Sequence, residues 1–410
     1  VTDDAANRPL RRPRLPVVDR GRVLLIGAFV VLLVVVVSAR FIANFYVDLL
    51  WHRSLGRTDV FWGMLRSKVV MLVLFGGAFI VPAVLNLTIA DRLAPATFSA
   101  NTHPVVERFH DLFGRRMRTV RIGVAVALGL LFAAPAVAQW DEWLMFRNAR
   151  NFGIDDPQYG NDIGFYLFRL PFIAFSIDWL FAAVLLMTLM VLATHVLNGG
   201  IVMQAPRPKV RKATKAHLAV LLAVLAVIKA ADYWVARYEL TTEQRGVVHG
   251  ATYAVDKAQR PAVVLLALVA LLAAGLFVST LKTNSWKWPG VVCALWVVVA
   301  LLGGVVYPAA VQKLLVEPNQ RDKEAPYIER NVLATRQALG IDNVIVEPVS
   351  VSDVTTSALQ DDVDSLRNVR LLDPVKMLDR FRVDEGQQAG LAIHDLDVDR
   401  YDIDGEQRQV

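Results

Sequence analysis

Seven blocks of the chain are apolar over lengths that suit a lipid bilayer, and polar, mostly basic stretches separate them. A helix crossing a hydrocarbon core roughly 30 Å thick needs about 20 mostly apolar residues. The blocks are 23–37, 69–90, 122–138, 172–197, 218–236, 261–281 and 288–310. The first continues through Phe41, Ile42, Phe45 and Tyr46 to Trp51. Any one block could be a buried core helix, but seven in a single chain argue for membrane spans. Long unbroken apolar runs suit helices, because barrel strands alternate. No small-residue cleavage pattern follows the first block before Arg40, so it reads as a span rather than a removed signal.

Basic residues resist translocation and so set the orientation. Arg8, Arg11, Arg12, Arg14, Arg20 and Arg22 precede or open the first block. Arg92, Arg108, Arg115, Arg116, Arg118 and Arg121 lie between the second and third. Arg207, Lys209, Arg211, Lys212 and Lys215 fall in the next loop on that side, and Lys282 and Lys287 in the last. Seven spans put all of these in the cytoplasm, together with the N-terminus. Everything after residue 310 is then extracytoplasmic, and the expected location is the bacterial plasma membrane.

Composition agrees. The 410 residues are 55% hydrophobic, above the roughly 45–50% of soluble domains, and mean hydropathy is +0.42. The net charge of +6 hides a division between basic loops and an acidic segment from 311 to 410. Basic loops sit well against anionic lipid, so the charge points to membrane lipids and not to nucleic acid. Cys293 is the one cysteine and lies in the seventh block, which excludes an intrachain disulfide.

The predicted architecture is an α-helical polytopic membrane protein: a seven-helix transmembrane bundle followed by an extracytoplasmic α+β region. Residues 1–21 read as a disordered basic tail, 22–311 as the transmembrane domain, and 312–410 as the start of the external domain. Between the second and third blocks, Val105, Val106, Phe109, Leu112 and Phe113 recur at helical spacing and predict an amphipathic helix on the membrane face. The loop from 139 to 170 carries Trp140, Trp143, Phe146, Phe152, Tyr159, Phe165, Tyr166 and Phe168, as expected of a segment lying along the lipid–water interface. Residues 324–339 predict a helix stopped by Gly340, and the β-branched run 341–354 and the segment 391–405 predict strands. The chain stops directly after a strand and turn, so it is expected to continue into a longer protein. No internal repeat is evident.

Several stretches together resemble the UPF0182 family of uncharacterised bacterial, largely actinobacterial, membrane proteins. They are FYVDLLWHRSLGRTDVFWGML (45–65), DDPQYGNDIGFYLFRLPFIAF (155–175), VEPNQRDKEAPYIERNVLATRQALGIDNV (316–344), NVRLLDP (368–374) and DLDVDRYDIDGEQRQV (395–410). Leu391 to Ile393 stand where the family tends to have Tyr and Phe. The resemblance implies about seven spans and a large external region that runs on past residue 410. The family has no settled activity, so no catalytic residue is carried over.

The candidate intramembrane polar site is Asp178 in the fourth block with Lys229 and Asp232 in the fifth. Lys229 and Asp232 are three apart and share a helix face. Charge inside a bilayer usually faces a bundle interior or a wet cavity. A structural ion pair, or charges that snorkel to the interface, is the plainer alternative. Asp395, Asp397, Asp399 and Glu406 have part of the spacing of a calcium loop, but Arg400 occupies the position that needs Gly. Their alternation equally fits one solvated strand face. His103, Glu107 and His110 could share a helix face, without the zinc-protease spacing. His195 reads as a packing or interface residue.

No phosphate-binding GxxxxGK[ST] loop and no GxSxG elbow is present. No cofactor or metal is therefore expected, and no catalytic motif supports an enzyme. The expected role is a cell-envelope scaffold or lipid-handling protein, which binds a protein partner or a second copy through the external domain. A channel or secondary transporter using the Asp178, Lys229 and Asp232 cluster is the alternative.

Overall fold

The computed structural model describes residues 20–94, 114–202, 209–245, 248–348, 356–361, 373–385, 390 and 392–409. In chain order the first helices are α1 (Arg20–Ser54), α2 (Thr58–Leu93), α3 (Met117–Ala138), the short α4 (Trp140–Arg147) and α5 (Leu170–Leu197). A two-residue hairpin of β1 (Ile201–Val202) and β2 (Lys209–Val210) leads to α6 (Lys212–Glu239). A second small hairpin, β3 (Gln244–Arg245) with β4 (Val248–His249), leads to α7 (Arg260–Thr283) and α8 (Lys287–Leu301). Next come α9 (Tyr307–Val311) and α10 (Gln320–Leu339).

Among the described residues, seven helical stretches are long and apolar enough to cross a membrane. They fall on the seven apolar blocks and mostly run a few residues past them, and two differences of extent are larger. α2 begins eleven residues before its block, because polar residues such as Asp59 and Arg66 continue the helix beyond its apolar part. The seventh block and the predicted 324–339 helix are one continuous helical rod, Lys287–Leu339. The predicted amphipathic helix after α2 lies largely at 95–113, outside the described residues.

Wide π-helical turns occur at Phe165–Arg169, Val255–Gln259, Leu302–Val306 and Gln312–Val316. Each ends two residues before a proline: Pro171, Pro261, Pro308 and Pro318. Proline has no N–H to continue the ladder, and its ring crowds the carbonyl four residues back. Widening the preceding turn relieves that crowding without ending the helix.

Helix packing in lipid lacks a hydrophobic drive, because the tails are as apolar as leucine; close approach through small residues replaces it. Ala125, Ala133 and Ala136 of α3, and Ala183 of α5, are fully buried beside Met71, Phe75 and Phe79 of α2. The α6–α7 seam uses Ala223, Ala226, Ala273 and Ala274 around Val269 and Phe277. Trp179 spans the first cluster: its ring meets Phe75 edge-on at 4.8 Å, and its Nε1–H donates to the Phe132 carbonyl at 2.8 Å. By contrast, α1 leaves its apolar surface exposed, apart from contacts such as Phe45 on Phe61 at 5.2 Å.

The chain divides into two units, Val1–Ala338 and Leu339–Val410. In the second, the described residues form α11 (Thr356–Asp361), α12 (Pro374–Asp384) and a hairpin of β5 (Arg400–Ile403) with β6 (Glu406–Gln409). Asp373 caps α12 by accepting from the Val375 N–H at 3.0 Å. Asp404 and Gly405, both at positive φ, make the two-residue turn of the hairpin. Within the predicted strand 341–354, the described residues 341–348 form none: no partner segment is described beside them, and a β-branched run alone does not make a strand.

Gly129 lets α2 and α3 meet, since a Cβ there would stand 2.3 Å from Cγ1 of Ile80. Gly129→Ala is expected to lower the thermal midpoint of the detergent-solubilised protein by a shift worth about 1–3 kcal/mol. Gly123→Ala, with open space at that position, should leave it unchanged in the same melt.

Candidate functional site

Polar side chains of the bundle gather in two layers. Asp178 and Asn198 lie twenty residues apart along α5 and its cap, about 30 Å at the helical rise. Arg121 meets Asn198 near the start of α3, and Trp140 follows the other end of that helix. This separation matches a hydrocarbon core.

At the Trp140 end, the three residues singled out in the sequence come together. Lys229 donates to Asp232 one turn further along α6. Its ammonium also lies 5.6 Å from the Phe181 ring centroid and 5.0 Å from that of Tyr233. Asp178 is an electrostatic neighbour of both Asp232 and Lys229. The group is not enclosed, because Asp178 is exposed on the bundle's flank. Lys229 thus reaches along its helix toward the boundary and meets a carboxylate there, as snorkelling cations do.

Above this group, Asp256 sits in the wide turn that opens α7 and gathers four side-chain partners. Its Oδ1 accepts from Gln158 Nε2 and pairs with Arg260 at 3.1 Å. Its Oδ2 accepts from the Tyr327 hydroxyl at 3.0 Å and pairs with Lys257 at the same distance. Arg330 of α10 then donates to Gln158 Oε1 at 2.9 Å. Glu324, buried beside this turn, accepts from the Tyr253 N–H. The hub joins the 155–160 loop, the start of α7 and the distal helix α10. Next to it lies an open cavity of about 220 Å³, lined in part by Asp156, Gln158, Gly250, Tyr327, Arg330 and Asn331. Asp156 and Gln158 belong to DDPQYG and the α10 residues to APYIERN, so two of the stretches that carry the family resemblance meet at this cavity.

The aromatic loop has its own carboxylate anchor. Asp162 accepts the backbone N–H groups of Phe152, Gly153 and Gly164 at 3.0, 2.8 and 2.7 Å. These bonds, that from Phe152 foremost, hold its carboxyl below the usual range, against an opposing effect of burial.

At the Arg121 end, Arg121 pairs with Asp91 and donates to Asn198 Oδ1 at 2.9 Å, while Asn198 Nδ2 donates to Asp91 at 2.9 Å. Beside this triangle runs a chain of four side chains. Asn86 donates its amide N–H to the Pro82 carbonyl at 2.8 Å, which turns its Oδ1 toward His217 Nε2 at 3.1 Å. Nε2 must therefore carry the His217 proton, and Nδ1 accepts from His195 Nε2 at 3.1 Å. His195 Nδ1 is left to accept the Thr214 hydroxyl at 3.2 Å. The chain fixes both tautomers and ties α2, α5 and α6 together. Gly200 makes room for it, since a Cβ there would stand 2.7 Å from Thr214 Oγ1. His195 is fully buried, a packing residue with both ring nitrogens engaged.

Between the two layers the bundle is apolar. At mid-depth the Thr188 hydroxyl donates to the Val184 carbonyl of its own helix, four residues back. No group of three or more His, Cys, Asp or Glu able to hold a metal occurs among the described residues. Asp395, Asp397 and Asp399 each accept from the next residue's N–H and alternate as exposed positions along their segment. His103, Glu107 and His110 lie outside the described residues. Sequence reasoning missed the Asp256 hub and the histidine chain. The faint signals were a carboxylate in the turn before Pro261 and two histidines near helix ends.

The family described as "Uncharacterised protein family (UPF0182)" matches residues 25–410. A UPF0182 protein of Frankia casuarinae is 36% identical over 400 residues, covering 96% of this chain and 39% of its own length. One of a Nocardioides species is 34% identical over 395 residues (95% and 39%), and one of Streptomyces coelicolor 33% over 407 (97% and 40%). The chain therefore spans about two fifths of the length of these relatives. No solved structure matches it.

Because the folded loop lowers the Asp162 value, its stabilisation is full above the ordinary carboxylate range and disappears as pH falls through the lowered value. Limited proteolysis between residues 148 and 164 should speed up on acidification through that window. Asp162→Asn should be cleaved at the faster rate already at neutral pH.

Proposed function

We propose, for a chain that belongs to the uncharacterised family UPF0182, the role of a plasma-membrane protein that works at the outer leaflet as a cell-envelope scaffold or lipid-handling surface. The seven helices are its anchor. The basic loops and the Arg121 layer lie on the cytoplasmic side, and the Trp140 layer with the residues beyond it lies outside. The distribution of Lys and Arg supports that orientation. The acidic C-terminal part, with whatever follows in the longer relatives, recruits a protein partner or envelope component.

One observation carries this reading: polar groups are confined to two layers, and the bundle between them is filled by the cluster around Met71, Phe79 and Ala183. Such a bundle holds something at a membrane surface rather than passing it through. The cavity beside Arg330 and Asn331 is where a polar envelope molecule would be met.

A second reading, a channel or secondary transporter, has one observation in its favour: Asp178, Lys229 and Asp232 adjoin each other. The helices that carry them are unbroken at mid-depth, unlike the broken helices of transporters.

Two measurements test the proposal. With Cys293 replaced by Ala, a cysteine introduced by Asp361→Cys should react with an impermeant maleimide in intact cells; labelling only after lysis would invert the topology. Proteoliposomes of the purified chain should show proton and sodium flux equal to that of empty vesicles. Flux above that level, lost in Asp178→Asn, would establish the transport reading instead.

A further inference from the structure

Several charges of the Trp140 end have an ionic partner among the described residues: Lys229 has Asp232, Arg245 has Glu243, and Lys257 and Arg260 share Asp256. Arg237 of α6 has none among the described residues. Its guanidinium carbon lies 3.6 Å from the ring centroid of Trp234, 4.4 Å from that of Tyr238 and 5.7 Å from that of Tyr159. One terminal nitrogen donates to the Tyr238 hydroxyl. The Nε is buried with no hydrogen-bond partner. The Tyr159 hydroxyl fixes the cage by donating to the Arg237 carbonyl at 2.7 Å.

Three aromatic rings stabilise a cation but do not neutralise it. A guanidinium held this way keeps its remaining N–H groups for an anion, and its planar fork suits phosphate oxygens. Depth identifies which anion. Arg237 is five residues beyond Asp232 on α6, about 7 Å further from the apolar belt. That is the thickness of a headgroup layer outside a roughly 30 Å core. Trp234, one turn back, exposes half its surface on the flank of the bundle, where a ring at the interface lies against a lipid.

We propose that Arg237, in its cage of Trp234, Tyr238 and Tyr159, binds the phosphate of a lipid headgroup at the outer boundary and favours net-anionic lipids. The site rests on the outer-leaflet reading above and gives it a ligand class. An anionic phosphodiester supplies the charge that no neighbouring side chain does. A zwitterionic lipid carries its own ammonium and offsets Arg237 less.

The test is native mass spectrometry of the full chain released from vesicles of phosphatidylcholine and phosphatidylglycerol in equal amounts. The wild type should retain phosphatidylglycerol in preference. Arg237→Gln should lower its retention roughly tenfold, as expected for loss of a charge-assisted contact, and Arg336→Gln, at an exposed position of α10, should leave it unchanged. Equal retention of the two lipids by the wild type overturns the proposal without reference to any variant, as does unaltered retention in Arg237→Gln. Inorganic phosphate added at millimolar concentration should not displace the lipid; displacement would make the ligand a free phosphate and overturn the lipid assignment. Alkaline washing of the membranes separates the two readings: a chain that stays bound but shows no lipid preference sinks the site alone, and a chain that is released sinks both.

Discussion

Hydrocarbon does not solvate charge, and that constraint orders the bundle. Its described ionic groups lie at two levels about one bilayer core apart. At the Arg121 end, Asp91, Arg121 and Asn198 close on one another. At the Trp140 end, the Asp178 group lies at the limit of the apolar belt and the Asp256 hub stands beyond it. Between them, a hydroxyl survives only by bonding its own helix, as Thr188 does with the Val184 carbonyl.

The same constraint explains how the helices hold together. Without a hydrophobic drive between spans, shape has to replace it, and alanine and glycine let backbones approach. The polar layers then act as end pins. The Asn86–His217–His195–Thr214 chain joins α2, α5 and α6, a chain that is costly to break because each buried group would lose its partner. The Asp256 hub does the same for the 155–160 loop, α7 and α10. Prolines at the helix entries cost no span its continuity, because the wide turns before them absorb the misfit.

The spans were legible in the sequence because hydropathy acts locally: each block states its own preference for lipid. Their ends were less legible. The helix of α2 runs past its apolar block, since polar residues are good helix formers outside the membrane, and the seventh span merges with the helix that follows it. The neighbourhood of Lys229 and Asp232 could be read from spacing on one helix, whereas the approach of Asp178 required the α5–α6 packing. Asp256 could not be read at all, because its partners Gln158 and Tyr327 are 98 and 71 residues away. Residues 341–348, the described part of the run 341–354, show the reverse failure: β propensity was present, but a strand exists only where another edge meets it.

Lys229 and Arg237 show how depth changes the treatment of a cation. Lys229 lies below the boundary, where an unpaired ammonium would be costly, and the chain supplies Asp232 within reach. Arg237 lies two turns further out, at the level the proposal assigns to lipid phosphate, and the chain supplies aromatic rings and no carboxylate. An internal carboxylate there would compete with the membrane for the guanidinium, and rings leave its charge available. A protein built to pass ions through the bilayer would need its charges linked across the belt. Among the described residues this bundle keeps them apart, at its two ends, and the lipid contact proposed for Arg237 rests on that separation.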